Sequence, residues 1–504
     1  MTHRVLFVGI GGDYYTSGLI TALRDTGVIS FAAGVIDEHQ DHSPFDCVPA
    51  HFSEGLFGDY NNFMDDGAGV SDQLYSEICS AEGGILRQMD RLVYEPLAHH
   101  RSHPFLGSFD DRRHLLFRHL RFWNKTLSEL SLDAVVFHNV PHQVFDTVLY
   151  HMSKSRGIPT LIFSSVGVFR DSYFVSESID EVGLLDLGAR LRAVCTTDFI
   201  DIEERIQRDW TRVCNIVDSD GAAHVATNSY SLLRSIMNDG HIGGSQVTTR
   251  NVIKAFRRRF SMLRGRGPID LMSLSRKRSR VRAVSRARRE EQENVSVARL
   301  PEKFLYFPLH FQPEASTSAR GRHYVELREV VASLASSMPN DVMLVIKEHP
   351  HQYEKLLPRP PGFFASLMAL PKVHLVESSM PSAKLRKLSL GVVTVSGSNG
   401  FEVLATGKQV IAFGSAAWRE APGVWNVRSQ ADIESAVASM CTKLTRDRSE
   451  YLPFIARLKS ATFLADYSDS RKGRTHQEDE LLCRATRTNT LLVVQAWLRG
   501  LTSS

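Results

Sequence analysis

A strand–helix alternation that runs once, stops, and starts again constrains this chain more than any other feature. HRVLFVGI (3–10) is a continuous apolar run closed by Gly11-Gly12, and apolar residues at helical spacing follow from about 17 to 24. ISFAAGVI (29–36) is a second run, and helical patterns then occupy about 71–97 and 112–131. DAVVFH (133–138), a helix over 142–156 and IPTLIF (158–163) complete the first series. The second series opens with KFLYFPL (303–309), a helix over 322–337 and DVMLVIK (341–347). It continues with a helix over 362–369, a strand at 373–376, a helix over 381–388, GVVTVS (391–396), a helix over 399–406 and KQVIAFG (408–414). Strands that are apolar without alternation are buried on both faces, as in a parallel sheet covered by helices. Two such series in 504 residues exceed one hydrophobic core. The expected fold class is α/β, with two Rossmann-like domains and a cleft between them. The expected bounds are 1–215 for the first domain, 216–300 for a linker and 301–460 for the second domain. Helices over 461–504 are expected to return towards the first domain.

Between the series lies a concentration of positive charge. Residues 250–289 hold 15 Lys or Arg and a single acid, Asp270, so this stretch carries +14 while the chain as a whole carries +4. Two readings stay open: a solvated linker, or a face lying on an anionic membrane, where each basic residue near the surface contributes about 1 kcal/mol. No nucleic-acid-binding module accompanies the patch, so nucleic acid is not an expected partner. No apolar run approaches the roughly 18 residues of a membrane span, and the first apolar run is too short for a signal peptide. Six scattered cysteines form no CxxC pair, which argues against a disulfide framework or a structural zinc. The expected location is cytoplasmic, at the inner face of the membrane if the basic stretch docks there.

In doubly wound sheets ligands bind beyond the carboxyl ends of the strands, and three motifs sit there. Lys347-Glu348-His349-Pro350 follows strand 341–347. Its lysine and histidine are expected phosphate donors, and Pro350 fixes the turn. Ser396-Gly397-Ser398-Asn399-Gly400 follows strand 391–396 and opens a helix whose free N–H groups, with both serine hydroxyls, suit a phosphate. Glu402 is placed to accept ribose hydroxyls. Gln312-Pro313-Glu314, after strand 303–309, brings an amide and a carboxylate to the same edge. Each motif alone reads equally well as a turn or a cap.

Together, in this order, the motifs carry a resemblance. FPLHFQPEAST, VIKEHP and VSGSNGFEVLATGKQVIAFG, across 303–414, resemble the capsule-polysaccharide biosynthesis glycosyltransferases. The resemblance implies the two-domain GT-B architecture, and that family includes retaining transferases of 3-deoxy-manno-octulosonic acid (Kdo) with CMP-activated donors. It also implies nucleotide-phosphate contacts for His349, Ser396 and Ser398, and matches Gln312 to the family's QP motif and Glu402 to its acidic helix residue. A nucleotide sugar is then the co-substrate, and a glycan or its lipid-linked precursor the acceptor. No metal and no other cofactor is expected, since fixed donors can neutralise the leaving phosphate.

The first domain offers acceptor-side candidates. His138-Asn139-Val140-Pro141-His142 ends strand 133–138, so His138, Asn139 and His142 are candidates to hold the acceptor, with His142 also a general base. A plainer reading makes Asn139 the cap of the following helix. Gly12, in the first turn, allows close backbone approach, but the dinucleotide fingerprint is incomplete. A retaining transferase needs a carboxylate nucleophile, for which Asp171 is a candidate without a motif. Asp65-Asp66-Gly67 is similar to the acid-acid-glycine motif of bacterial sialyltransferases, which keeps Asp66 as a catalytic candidate, though its Gly-rich setting reads as a turn. The histidines at 99, 100 and 103 read as surface. Two rivals remain open: a nucleotide-sugar epimerase on the same scaffold, and a non-catalytic assembly protein.

Overall fold

The computed structural model describes residues 2–36, 40–51, 109–167, 169, 171–195, 210–215, 271–296, 299–312, 314–354, 357–442, 445–467 and 475–502. The expectations at Asp65, Asp66, Gly67, Pro313, the helix at 71–97 and the histidines at 99–103 lie outside these residues.

The first sheet contains β1 (His3–Val8), β2 (Ile29–Ile36), β3 (Cys47–His51), β4 (Ala134–Phe137), β5 (Thr160–Ser165) and β6 (Ser172–Ser176). The second contains β7 (Phe304–Pro308), β8 (Met343–Lys347), β9 (Val373–Val376), β10 (Gly391–Thr394), β11 (Gln409–Ala412) and β12 (Val424–Asn426). A last short strand, β13 (Phe463–Leu464), pairs antiparallel with β6 and so joins the first sheet. The orders are β3-β2-β1-β4-β5-β6-β13 and β9-β8-β7-β10-β11-β12. Both follow the doubly wound pattern in which chain direction across the sheet reverses beside the first strand. The second sheet is wholly parallel, and the first is parallel from β3 to β5. β4, β7, β9, β10 and β11 are buried along their whole length. Helices on both faces produce that burial, and the continuous apolar runs were its signature.

The two Rossmann-like domains share an apolar layer. One cluster of buried residues contains Val135, Phe137 and Ile162 from the first sheet and Tyr306, Val392 and Val410 from the second. Phe401 links them: its ring lies 5.4 Å from Phe169 and 5.5 Å from Trp210. Polar contacts flank this layer. Arg322 pairs with Asp180 at 2.6 Å, Arg419 donates to the Asp180 carbonyl at 2.8 Å, and Arg457 pairs with Asp186 at 2.6 Å. Gly183, at φ +88°, has no room for a side chain, because a Cβ would sit 1.9 Å from the Ala416 carbonyl oxygen. The helix His476–Leu501, begun by a Thr475–Glu478 capping box, lies against the first domain. There Asp479 accepts from Tyr15 at 2.5 Å, and Trp497 donates to Glu177 at 2.8 Å.

The basic stretch is not a free linker where it is described. Residues 271–289 belong to the helix Leu271–Asn294, which is fastened to the second domain at its C-terminal end. Glu290 accepts from the N–H groups of Gly362 (3.0 Å) and Phe364 (2.9 Å), and so caps the helix Phe363–Met368. Glu291 accepts from the Tyr353 hydroxyl (2.7 Å) and the Ser378 N–H (3.0 Å). Val284 and Ala287 are buried on the docking side, while Arg282, Arg286 and Arg289 are exposed. Among the described residues no helix is long and apolar enough to cross a membrane.

Candidate functional site

In the second sheet the direction reverses between β7 and β10, and His310 stands just beyond β7. Its Nε2 accepts the Val395 N–H at 2.8 Å and lies 3.0 Å from the Thr394 hydroxyl, whose oxygen accepts the Gly397 N–H at 3.0 Å. With Nε2 an acceptor, the ring is neutral. Burial, helped by the charges of His349 and Arg359, holds its pKa down at about 3. A neutral histidine thereby fixes the backbone of the 394–397 turn. Gly397 must be glycine for that contact, because a Cβ would come within 2.7 Å of His310 Cε1. Gly400 is equally confined: a Cβ there would meet the Trp418 ring at 2.3 Å.

Beyond β8, the Lys347-Glu348-His349-Pro350 motif divides into support and display. Glu348 is fully buried and receives Arg359 through two bonds, Nε–Oε2 at 2.7 Å and Nη2–Oε1 at 2.9 Å. Arg359 also donates to the His310 carbonyl and to Gln312 Oε1, both at 2.6 Å. A buried pair of this kind persists because every partner is satisfied. His349, half-buried, accepts the His351 N–H on Nδ1 at 3.2 Å, which leaves the proton on Nε2 as a donor. Burial first, then the neighbouring charges of His351, Lys347 and Arg359, push its pKa down to about 4. It is therefore a neutral donor at pH 7 and not an imidazolium.

Several expectations change here. Lys347 is buried, and its ammonium donates to the carbonyls of Met380 (3.0 Å) and Ser378 (3.5 Å). It supports the turn after β9 and is not displayed as a phosphate donor. Gln312 is structural in the same way. Its amide donates to the Val325 carbonyl at 2.7 Å, its oxygen receives Arg359, and its backbone bonds Gln352 on both sides. Glu402 is not free for a ribose: it pairs with Arg386 at 2.7 Å, and Arg386 also donates to Asn399 Oδ1 at 2.6 Å. The Ser396 hydroxyl is buried and donates to the Ser316 carbonyl at 2.6 Å, tying the turn to the segment after Gln312. Ser398 and Glu314 are exposed, Pro350 is exposed at the start of its helix, and Glu314 accepts from the Ser316 hydroxyl at 2.7 Å. The hydroxyl of Ser398 and the ring of His349 are the displayed members of the two motifs.

In the first sheet the direction reverses between β1 and β4. His138, just past β4, has Nδ1 3.0 Å from the Val8 carbonyl, so Nδ1 carries the proton. Burial drives its pKa down to about 4. Gly9 (φ +69°) leaves the space this ring fills, since a Cβ would come within 2.2 Å of His138 Nδ1. Gly12 does not open to a ligand, because a Cβ there would meet Asp41 and Gln40 of the chain itself at about 3 Å (3.0 and 3.1 Å). Asn139 is not the helix cap. Its oxygen accepts the Val140 N–H at 2.8 Å, and the helix starts at Val144 with Gln143 and Asp146 forming the capping box. Burial raises the pKa of Asp146 to about 6 despite those bonds. His142 donates from Nδ1 to the Val140 carbonyl at 2.7 Å, which leaves Nε2 as an acceptor, the tautomer a general base requires. Asp171 (φ +54°) closes the loop between β5 and β6, and the same loop presents Phe169 to Phe401 in the middle of the second domain's site helix, Ser398–Leu404. Sequence reasoning missed Arg359 and Arg386, which brace the site; no local spacing signals either one. Among the described residues no three His, Cys, Asp or Glu side chains gather in a group able to hold a metal.

Two doubly wound domains, the second with a braced turn and a displayed histidine at its strand ends, define the class. Residues 258–447 match the family model described as "Capsule polysaccharide biosynthesis protein". The resemblance carried by the motifs is thus borne out over that span. No curated protein matches the sequence. Among solved structures, it is similar to KpsC, a beta Kdo 2,7 transferase of Thermosulfurimonas dismutans, at 10% identity and a TM-score of 0.29, covering 73% of this chain and 89% of that one. It is also similar to the UDP-GlcNAc 2-epimerase of Methanocaldococcus jannaschii, at 13% identity and a TM-score of 0.24, covering 90% and 96%. A third is the UDP-N-acetylglucosamine 2-epimerase of Rickettsia bellii, at 12% identity and a TM-score of 0.25, covering 100% and 99%. Likenesses this slight carry no weight for activity, and the fold described above stands on its own strand order.

Proposed function

We propose that this protein is a glycosyltransferase. It moves a sugar from a nucleotide donor, a CMP-activated ulosonic acid such as Kdo, to a surface polysaccharide or its lipid-linked precursor. The observation that carries the reading is the neutral Nε2–H donor of His349 at the end of β8, on the same strand-end edge as a 394–398 turn pinned by His310 beyond the intervening β7, inside the span that matches the capsule family. A fixed neutral donor and a rigid turn suit a departing phosphate, because they need no reorganisation as charge develops. In the first domain His142 has the base tautomer, and Asp171 ends a loop that reaches the second domain. Asp171 is the carboxylate proposed to attack the anomeric carbon. The carboxylate would displace the nucleotide phosphate and be displaced in turn by an acceptor hydroxyl, whose proton goes to the base. The exposed arginine face of the helix Leu271–Asn294 supports a peripheral contact with an anionic membrane, where a lipid-linked acceptor is found.

The test is release of free nucleotide from a CMP-ulosonate with and without acceptor glycan. Release that requires acceptor and is lost in Asp171→Asn is the expected result. Acceptor-independent interconversion of the sugar would replace the transferase with an epimerase.

A further inference from the structure

Arg320 lies over the carboxyl edge of the second sheet. Its carbonyl accepts the Ser415 N–H at 2.9 Å, and a Cβ on Gly414, at the end of β11, would come within 2.5 Å of that same oxygen. A Cβ on the next residue, Gly321, would meet Val395 of the site turn at 2.9 Å. Four residues earlier, the Ser316 carbonyl receives the Ser396 hydroxyl. The segment from Ser316 to Gly321 therefore rests on the 394–398 turn, and Arg320 is anchored there by its own backbone.

Among the described residues its side chain has no partner of its own. The residue is half-buried and its Nε is sealed from water without a hydrogen bond. Among the described residues no hydrogen bond or ion pair engages its guanidinium. Burial lowers its pKa to about 10, and Glu314, the carboxylate whose charge reaches it, is exposed and holds the Ser316 hydroxyl. Nearby buried arginines are treated differently: Arg359 is paired with Glu348, Arg386 with Glu402, and Arg419 with two backbone carbonyls. A half-buried cation with one N–H shut away from water and no counterion is costly to keep, and bound substrate is a natural source of one.

We propose that Arg320 completes the donor site by binding an oxyanion of the donor, either the nucleotide phosphate or the carboxylate of the sugar acid. This rests on the donor-site reading above. A guanidinium suits either group through paired N–H donors, which a lysine cannot reproduce.

The test compares the unmodified protein with Arg320→Met and Arg320→Lys, using CMP, cytidine, inorganic phosphate and free ulosonic acid as probes. Thermal melting is recorded without ligand. Arg320→Met should melt no lower than the unmodified protein, since an uncompensated charge has been removed, and should lose at least about tenfold in affinity for one anionic probe. Arg320→Lys should recover part of that loss. Loss confined to CMP and phosphate assigns the phosphate, and loss confined to the ulosonic acid assigns the carboxylate. Unchanged affinity for every anion overturns the proposal, as does a lowered melting temperature with all affinities, cytidine included, falling together. If the unmodified protein binds no nucleotide, the donor-site reading fails by itself. Stabilisation by phosphate or ulosonic acid that Arg320→Met abolishes would still support the oxyanion site, and its absence would overturn it.

Discussion

The two reversal points of this molecule use the same pair of residues in opposite places. In the first domain a glycine follows the first strand and a histidine the fourth (Gly9 and His138). In the second domain the histidine follows the first strand and the glycine the fourth (His310 and Gly397). Both histidines are kept neutral by burial, and both fill space that a Cβ on the glycine would occupy. Their surroundings differ. The first point is closed by the chain itself: Phe45 and Ile20 crowd Gly11, and residues 40–41 cover Gly12. The second is braced from below by Glu348, Arg359 and Gln312, and it leaves His349 and Ser398 on display. The same doubly wound order thus yields one packed turn and one presented turn. The number of fixed donors left unspent separates them.

The largest effect is expected where the second point is braced. Arg359→Met leaves the Glu348 carboxylate buried and unpaired, which costs about 3–5 kcal/mol. Denaturant unfolding should show that loss, and a change under 1 kcal/mol would mean that the bracing does not distinguish the two points. Glycine substitution tests the shared geometry. Gly9→Ala combines a left-handed backbone with a clash and should cost about 1–3 kcal/mol, while Gly397→Ala should displace His310 and weaken nucleotide binding more than it weakens the fold. Equal effects of both variants on binding would erase the contrast.

A pH titration sharpens what the two points share. His138, His310 and His349 have folded pKa values depressed to about 4, 3 and 4 from an ordinary value of 6.5. Between those values the unfolded chain binds protons that the folded chain refuses. The stability they contribute is complete above pH 6.5 and is lost as pH falls through about 4 for His138 and His349 and about 3 for His310. His310→Gln should flatten that fall in melting experiments, and an unchanged slope would mean that His310 is charged in the fold. The smallest expected effect on binding belongs to Lys347→Met. It removes a buried donor from two carbonyls at about 1–3 kcal/mol of stability, with nucleotide affinity preserved in calorimetry. A large loss of affinity would return Lys347 to the phosphate.

Much of the frame was legible from residues. The runs at 29–36 and 373–376 are strands at those bounds, and the remaining expected strands end within about three residues of β1, β4, β5, β7, β8, β10 and β11. β3, β6, β12 and β13 escaped notice because they are short strands of two to five residues towards the sheet edges, without a long apolar run. The expected helix over 322–337 is a 3-10 turn (Arg322–Val325) followed by Leu327–Ser337, with extended backbone at Glu326 between them. The motifs marked the correct strand ends but did not divide their members into support and display. Lys347 and Gln312 carry the chemistry of ligands, and only tertiary contact reveals that backbone carbonyls have taken them. Glu348 reads as an exposed neighbour of His349 until Arg359, eleven residues away, is seen beneath it.

The most direct measurement is calorimetric titration of the protein with CMP, CDP and UDP, repeated on His349→Ala and on His138→Ala. The account predicts binding of CMP that is lost in His349→Ala and retained in His138→Ala. Binding that survives in His349→Ala, or that disappears only when His138 is changed, would place the nucleotide at the wrong end of the comparison and contradict it.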